Sequence, residues 1–130
     1  MTETLTAYDF AVIRVVPHVH LGAFIPVGVL LHARQVEFLG LLALTSESTL
    51  RDRVPSVDVG LLARYLRTME RVASGDALAG PIALAPTSER FHWLTAPRSD
   101  VLQSSPVHEG LCEGDPTRTL ARLFAQYVSG

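Results

Sequence analysis

The segment from Glu89 to Cys112 concentrates the residue types that could bind an anion. Arginine grips a phosphate or a carboxylate through two parallel hydrogen bonds, and serine hydroxyls add further donors. An anion-binding surface here would use Arg90, Arg98, Ser99, Ser104 and Ser105. From sequence alone we favour a simpler interpretation, in which the serines stabilise turns and the arginines pair with carboxylates. The carboxylates near them in the chain are Glu89, Asp100 and Glu109.

The same segment holds two histidines that could transfer protons, His92 and His108. Imidazole titrates near neutral pH, so either side chain could serve as a general acid or base. If the aromatic-rich stretch Glu89–Ala96 is a strand, Arg90 and His92 point together toward solvent or a cleft. A small enzyme acting on a phosphorylated or nucleotide substrate would use both histidines for proton transfer, with Arg90 and Arg98 stabilising charge.

A second pair of histidines, His18 and His20, would share one face of a strand and could reach one metal ion. A metal site needs at least a third ligand, and none follows at a recognised ligand spacing. We therefore predict a solvated loop and no metal site. The chain also lacks a phosphate-binding glycine loop, a dinucleotide-binding pattern and a nucleophile elbow, so no cofactor is predicted.

The charge pattern argues against nucleic acid as a partner. The formal net charge is −2, although every basic residue is arginine. Domains that bind nucleic acid usually carry a strong positive excess. Arg64, Arg67 and Arg71 form a basic stripe on the first long predicted helix, but Glu70 interrupts it. A solvated helix face explains this stripe.

The single cysteine and the absence of long apolar runs predict a cytoplasmic domain without a membrane partner. Cys112 cannot form an intrachain disulfide, so we expect a structural thiol in a reducing compartment. The first residues are polar rather than a basic segment before an apolar run. No apolar stretch reaches the roughly 20 residues needed to cross a membrane.

Strand and helix signals together define the expected elements. Strands are predicted at Tyr8–Val16, Ala23–Leu31, Val36–Leu44, Glu89–Ala96 and Asp100–Ser104. The first three have short connections and should form an antiparallel meander, with Pro26 and Gly28 indicating an edge position or a bulge. A short helical turn is expected at Ser46–Arg53.

Two longer helices have cap signals at their ends. Asp58 begins the first, which stops at Gly75, and Asp115 begins the second, with Pro116 in its first turn. These elements predict an α+β fold in a single domain, residues 1–130. The expected architecture is an antiparallel sheet of four or five strands with two main helices packed on one face.

Three segments carry a family resemblance: Tyr8–Pro17, Phe24–Leu31, and a longer one from Arg90 to Leu111. The chain resembles the bacterial domain-of-unknown-function family 3037. The motif positions are Arg14, Gly28, Arg90, His92, Trp93, Arg98, Ser99, Ser105, Pro106 and His108. The chain departs from the family pattern at His18, His20 and Pro26, which argues further against a role for those histidines. The resemblance implies no activity, but members are often encoded beside a protein resembling toxin-type serine kinases.

The leading hypothesis is a non-catalytic binding or accessory module that acts with a partner protein. The resemblance makes a kinase-like neighbour the first candidate partner. The surface around Arg90–His108 would hold a small anionic ligand. The small enzyme described above is the alternative hypothesis, and the sequence leaves homo-oligomer formation open.

Overall fold

Three consecutive strands rich in β-branched and aromatic residues form the predicted antiparallel meander. The computed structural model describes residues 5–16, 24–55, 57–96 and 102–129. The strands are β1 (Leu5–Val15), β2 (Ile25–Ala33) and β3 (Phe38–Ala43), with β2 between the other two. A 3₁₀ turn, Arg34–Val36, joins β2 to β3.

The other edge of β1 is filled by two short strands in succession, β4 (Leu102–Ser104) and β5 (His108–Glu113). Both pair antiparallel with β1, β4 near its end and β5 near its beginning. The break between them contains Pro106, which has no N–H for a ladder. Ser105 bridges the break, since its N–H donates to the Val12 carbonyl at 2.8 Å and its Oγ accepts the Val12 N–H at 2.9 Å.

Strand β2 carries a bulge at Val27. The register shifts there from Ile13 opposite Gly28 to Arg14 opposite Pro26. Because β2 is an inner strand, Pro26 and Gly28 mark a bulge rather than an edge, which decides between the two alternatives that the sequence left open.

The helices with clear cap residues lie where the sequence predicts them. Helix α1 spans Glu47–Arg53, and α2 spans Val59–Ser74. The Asp58 Oδ1 accepts the Leu61 N–H at 3.1 Å at the start of α2, and Gly75 ends it with φ 79°. Two 3₁₀ turns follow, at Ala77–Ala79 and Pro81–Leu84.

The last helix, α4, spans Pro116–Phe124 and continues as a π-helical turn over Ala125–Ser129. Asp115 caps its beginning by accepting the Thr117 N–H at 2.9 Å. Among the described residues, no helix has the length and the apolar character that crossing a bilayer requires.

The prediction of a strand at Glu89–Ala96 is wrong, because this stretch lies in a helix, α3 (Thr87–Thr95). Phe91 and Leu94, three positions apart, pack into the core from one side of the helix, and Leu94 is fully buried. Tertiary burial at helical spacing therefore overrides the strand propensity of the aromatic residues. The change has a consequence for the site, since residues two apart do not face each other on a helix.

The α+β fold class and the antiparallel sheet are confirmed, and the described residues form five strands and four α-helices. The layering differs from the expected one, because helices cover both faces. One core packs helices α1, α2 and α3 on residues such as Ile13 and Leu30. A second core packs α4 on Phe10, Val29 and Leu31. The strands are apolar on both sides, and each apolar side needs its own cover.

Candidate functional site

The side chain of Arg90 extends from α3 to the C-terminal end of α2 and does not lie on an exposed surface. Its Nη1 donates to the carbonyl oxygens of Ala83 at 3.2 Å and Val72 at 3.5 Å. The same nitrogen would lie only 2.7 Å from a Cβ at Gly75, so the glycine makes room for it. Its Nε is buried and, within the described chain, has no hydrogen-bond partner. The guanidinium satisfies a carbonyl at a helix C-terminus, which is a structural role.

The two described serines of the segment bond to nearby backbone. The Ser104 Oγ donates to the Ser105 carbonyl at 2.8 Å. The Ser105 Oγ donates to the Pro106 carbonyl at 2.8 Å, besides accepting the Val12 N–H. Both hydroxyl donors are therefore engaged locally. Two predicted site residues, Arg98 and Ser99, lie outside the described residues, as do Asp100 and the loop histidines His18 and His20.

The two candidate catalytic histidines lie on opposite sides of the sheet. His108 stands opposite Phe10 in the ladder, and their ring centroids are 5.2 Å apart on the α4 side. His92 is exposed on α3, which packs against the other side. The fold does not bring these two imidazoles together, so they do not form an acid–base pair.

A cleft of about 480 Å³ opens on the α3 side of the sheet, next to His32, which contacts the first residue of α3. Its lining includes Ala7, Asp9, His32, Arg34, Gln35, Glu109 and Leu111. Asp9 is central, because it pairs with His32 on β2 and with Glu109 on β5. Directly opposite residues in antiparallel strands point to the same face. The register therefore brings these three side chains together on one surface.

None of the helices in the described part of the chain covers the surface around this cleft. Leu5 and Leu111 are 50% and 64% exposed, and Ala7 and Glu113 are also exposed. Farther along the same side of β1, Ala11 is fully buried. We call the uncovered half of this side the open face, formed by Leu5, Ala7, Asp9, Glu109, Leu111 and Glu113.

His32 closes the inner end of the cleft. It is only 5% exposed, its Nε2 lies 3.1 Å from the Thr87 Oγ1, and its ring stacks on Phe91 at 5.2 Å. Burial lowers the pKa of His32, Asp9 partly opposes that effect, and Arg34 and Arg90 add to it. Burial therefore favours the neutral imidazole, which links β2 to α3.

The open face combines acidic and apolar side chains. Three carboxylates, those of Asp9, Glu109 and Glu113, surround the exposed Leu111 side chain, and none of them forms an ion pair within the described chain. The described residues contain no group of three histidine, cysteine, aspartate or glutamate side chains placed to hold a metal ion. Such a surface can recognise a complementary chain through charge and apolar contact.

Sequence reasoning missed this surface for two identifiable reasons. Strand β5 contains Gly110 and three acidic or polar positions, so it lacks the strand signature. Asp9 interrupts an apolar strand and His32 follows the predicted second strand, but alternation within each strand does not place the two side chains together, because that requires the register between β1 and β2.

Residues 10–128 match the family model described as "Protein of unknown function (DUF3037)". The match spans nearly the whole chain and confirms the resemblance found in its motifs. No curated protein and no solved structure matches the chain significantly.

Proposed function

We propose that this chain, which belongs to the DUF3037 family of proteins of unknown function, is a non-catalytic binding module that acts with a partner protein. The observation that carries this proposal is the open face, where Leu5 and Leu111 are exposed at one half of an otherwise helix-covered sheet. Apolar side chains left uncovered beside charged ones are typical of protein-docking surfaces.

Binding fits the geometry better than catalysis does. His92 and His108 lie on opposite sides of the sheet, and His32 is buried, stacked and bonded to Thr87. The described donors of the expected anion-binding surface, Arg90 among them, bond to backbone carbonyls. A protein partner is therefore favoured over a small anion.

The proposed compartment is the cytoplasm. Cys112 is a buried free thiol, and a thiol of this kind persists in a reducing environment. The kinase-like protein that the resemblance implies is the first candidate partner.

Site-specific photo-crosslinking in the native cell tests the proposal. A photoreactive phenylalanine analogue replaces Leu111 in one strain and Leu78 in a control strain. Leu78 is 86% exposed but lies in the turn after α2, and it neither lines the cleft nor belongs to the open face. We expect one discrete protein adduct from position 111 and none from position 78. Equal labelling at both positions, or no adduct at 111, would overturn the proposal.

A variant of the candidate catalytic residue His92 tests whether partner binding is independent of it. His92→Ala should leave the adduct at position 111 unchanged, because His92 is an exposed residue of α3 that neither lines the cleft nor belongs to the open face. Loss of the adduct in this variant, with the fold intact by circular dichroism, would count against the open face as the docking surface.

A further inference from the structure

The outer edge of β5 has free backbone hydrogen-bonding groups. In an antiparallel ladder, successive residues point their N–H and C=O groups alternately to the two sides of the strand. The N–H and C=O of Val12 both bond to Ser105, which lies between β4 and β5. The backbone N–H and C=O groups of the even-numbered residues of β1 therefore point toward β5. Their partners on β5 are His108, Gly110 and Cys112. Glu109, Leu111 and Glu113 therefore point their backbone groups outward, where no described residue bonds to them.

The opposite edge of the sheet is protected differently. Its outermost strand is β3, and the outward N–H of Ala43 donates to the Glu70 Oε2 of α2 at 3.2 Å. A side chain bonded to an edge group blocks the approach of another strand at that point. Within the described chain, β5 has no such cover, so its edge is the more accessible of the two.

The charges on β5 disfavour pairing with a second copy of the chain. Two β5 strands meeting antiparallel about Leu111 would put Glu109 of each copy opposite Glu113 of the other. Like charges directly opposite each other destabilise a strand pair. The same charges favour a strand with a cation opposite each glutamate and an apolar residue opposite Leu111.

We propose that the β5 edge accepts an extended segment of the partner protein as an added strand, with two basic residues flanking an apolar one at alternate positions. The backbone of the segment would bond to the outward groups of Glu109, Leu111 and Glu113. Its basic side chains would lie over the glutamates and its apolar side chain against Leu111. This inference rests on the proposed function and names the chemistry of the partner. Strand addition gives affinity through the backbone and specificity through alternate side chains.

Fluorescence anisotropy with short labelled peptides tests the proposal. The probe is Thr-Lys-Thr-Val-Thr-Lys-Thr, and the controls are the same peptide with glutamate for lysine and one N-methylated on the amides that face β5. We expect the lysine peptide to bind about tenfold more tightly than the glutamate peptide and to weaken with salt. N-methylation should abolish its binding, because it removes the donors but keeps the charges.

Charge reversal of the protein supplies the matched variant. Glu109→Lys combined with Glu113→Lys should reverse the preference between the lysine and glutamate peptides. Both side chains are exposed, so the double variant is expected to fold. Slower amide exchange at Glu109, Leu111 and Glu113 on binding, with no slowing at Leu41 of β3, would locate the added strand.

Two outcomes distinguish this inference from the proposed function. If no peptide binds at millimolar concentration, or if the N-methylated peptide binds equally well, strand addition is wrong, while a crosslink at position 111 still supports the binding module. If position 111 gives no adduct and the peptides do not bind, both fail.

Discussion

The two halves of one side of the sheet differ in what covers them. Along β1, Ile13 and Val15 lie under helices α1 to α3 and are almost wholly buried, whereas Leu5 and Ala7 on the same side are exposed. The strand is continuous, so the contrast comes from where the helices end. A covered half stabilises the fold through buried apolar area, and an uncovered half of similar chemistry is left for another molecule.

Truncating a residue in each half should give the largest difference in stability. Ile13→Ala removes a side chain that is 1% exposed and should lower the free energy of unfolding by about 2–5 kcal/mol. Leu111→Ala, at a side chain 64% exposed, should change it by less than about 1 kcal/mol. Urea denaturation of both variants measures the contrast. Similar losses in the two variants would mean that the open face belongs to the core.

The sequence was most informative where the structural signal is local. The cap residues Asp58 and Asp115 bond to the backbone only a few positions away, so their helices could be placed from the sequence. The meander followed from apolar runs and short connections. These features need no knowledge of what lies across the fold.

The parts that escaped prediction depend on distant contacts. Residues 87–95 form a helix because Phe91 and Leu94 are buried together against the sheet, which their strand propensities do not reveal. Strand β5 exists through its pairing with β1 rather than through its own composition. The juxtaposition of Asp9 and Glu109 follows from that register, and no local spacing encodes it.

Strand β5 is exposed on the α3 side of the sheet but packed on the α4 side. A substitution at Gly110 measures how closely β5 packs there. A Cβ at this position would lie 2.5 Å from the ring of Tyr8, which is buried in the second core. Gly110→Ala should therefore lower the free energy of unfolding by about 1–3 kcal/mol, through displacement of the ring. Gly114→Ala is a poor control because of its φ of 77°, so Glu113→Ala, at an exposed neighbour, serves instead. Equal unfolding midpoints for the Gly110 and Glu113 variants would contradict this packing.

His32 lies between the covered and the uncovered half of this side of the sheet and should make the free energy of unfolding depend on pH. Burial holds its pKa below 6.5 in the folded protein, so the unfolded chain takes up the proton more readily. Stability should therefore fall as the pH is lowered below about 6.5, and the loss continues until the folded pKa is reached.

The matched variant for this pH effect is His32→Gln, which can still bond to Thr87 but does not titrate near neutral pH. The difference in unfolding free energy between wild type and variant, followed from pH 8 to pH 5 by urea titration, isolates the contribution of His32. Parallel pH profiles for the two proteins would show that this histidine does not couple folding to pH.

The smallest expected change in the free energy of unfolding comes from the charges on the open face, and it is an increase rather than a decrease. Asp9 and Glu109 stand directly opposite each other, and the alternation of the ladder makes them a pair without mutual backbone bonds, in which side chains approach most closely. Glu109→Gln should relieve this repulsion and raise the free energy of unfolding by about 0.2–1 kcal/mol at low salt.

Salt separates this repulsion from other effects of Glu109→Gln, because screening should remove the gain at high ionic strength. The same variant should bind the lysine peptide more weakly, since it removes one of the two glutamates proposed to face the lysines. A surface that lowers stability in isolation and is required for binding is expected of a docking site, whereas a substitution neutral in both measurements would reduce the open face to an ordinary solvated surface.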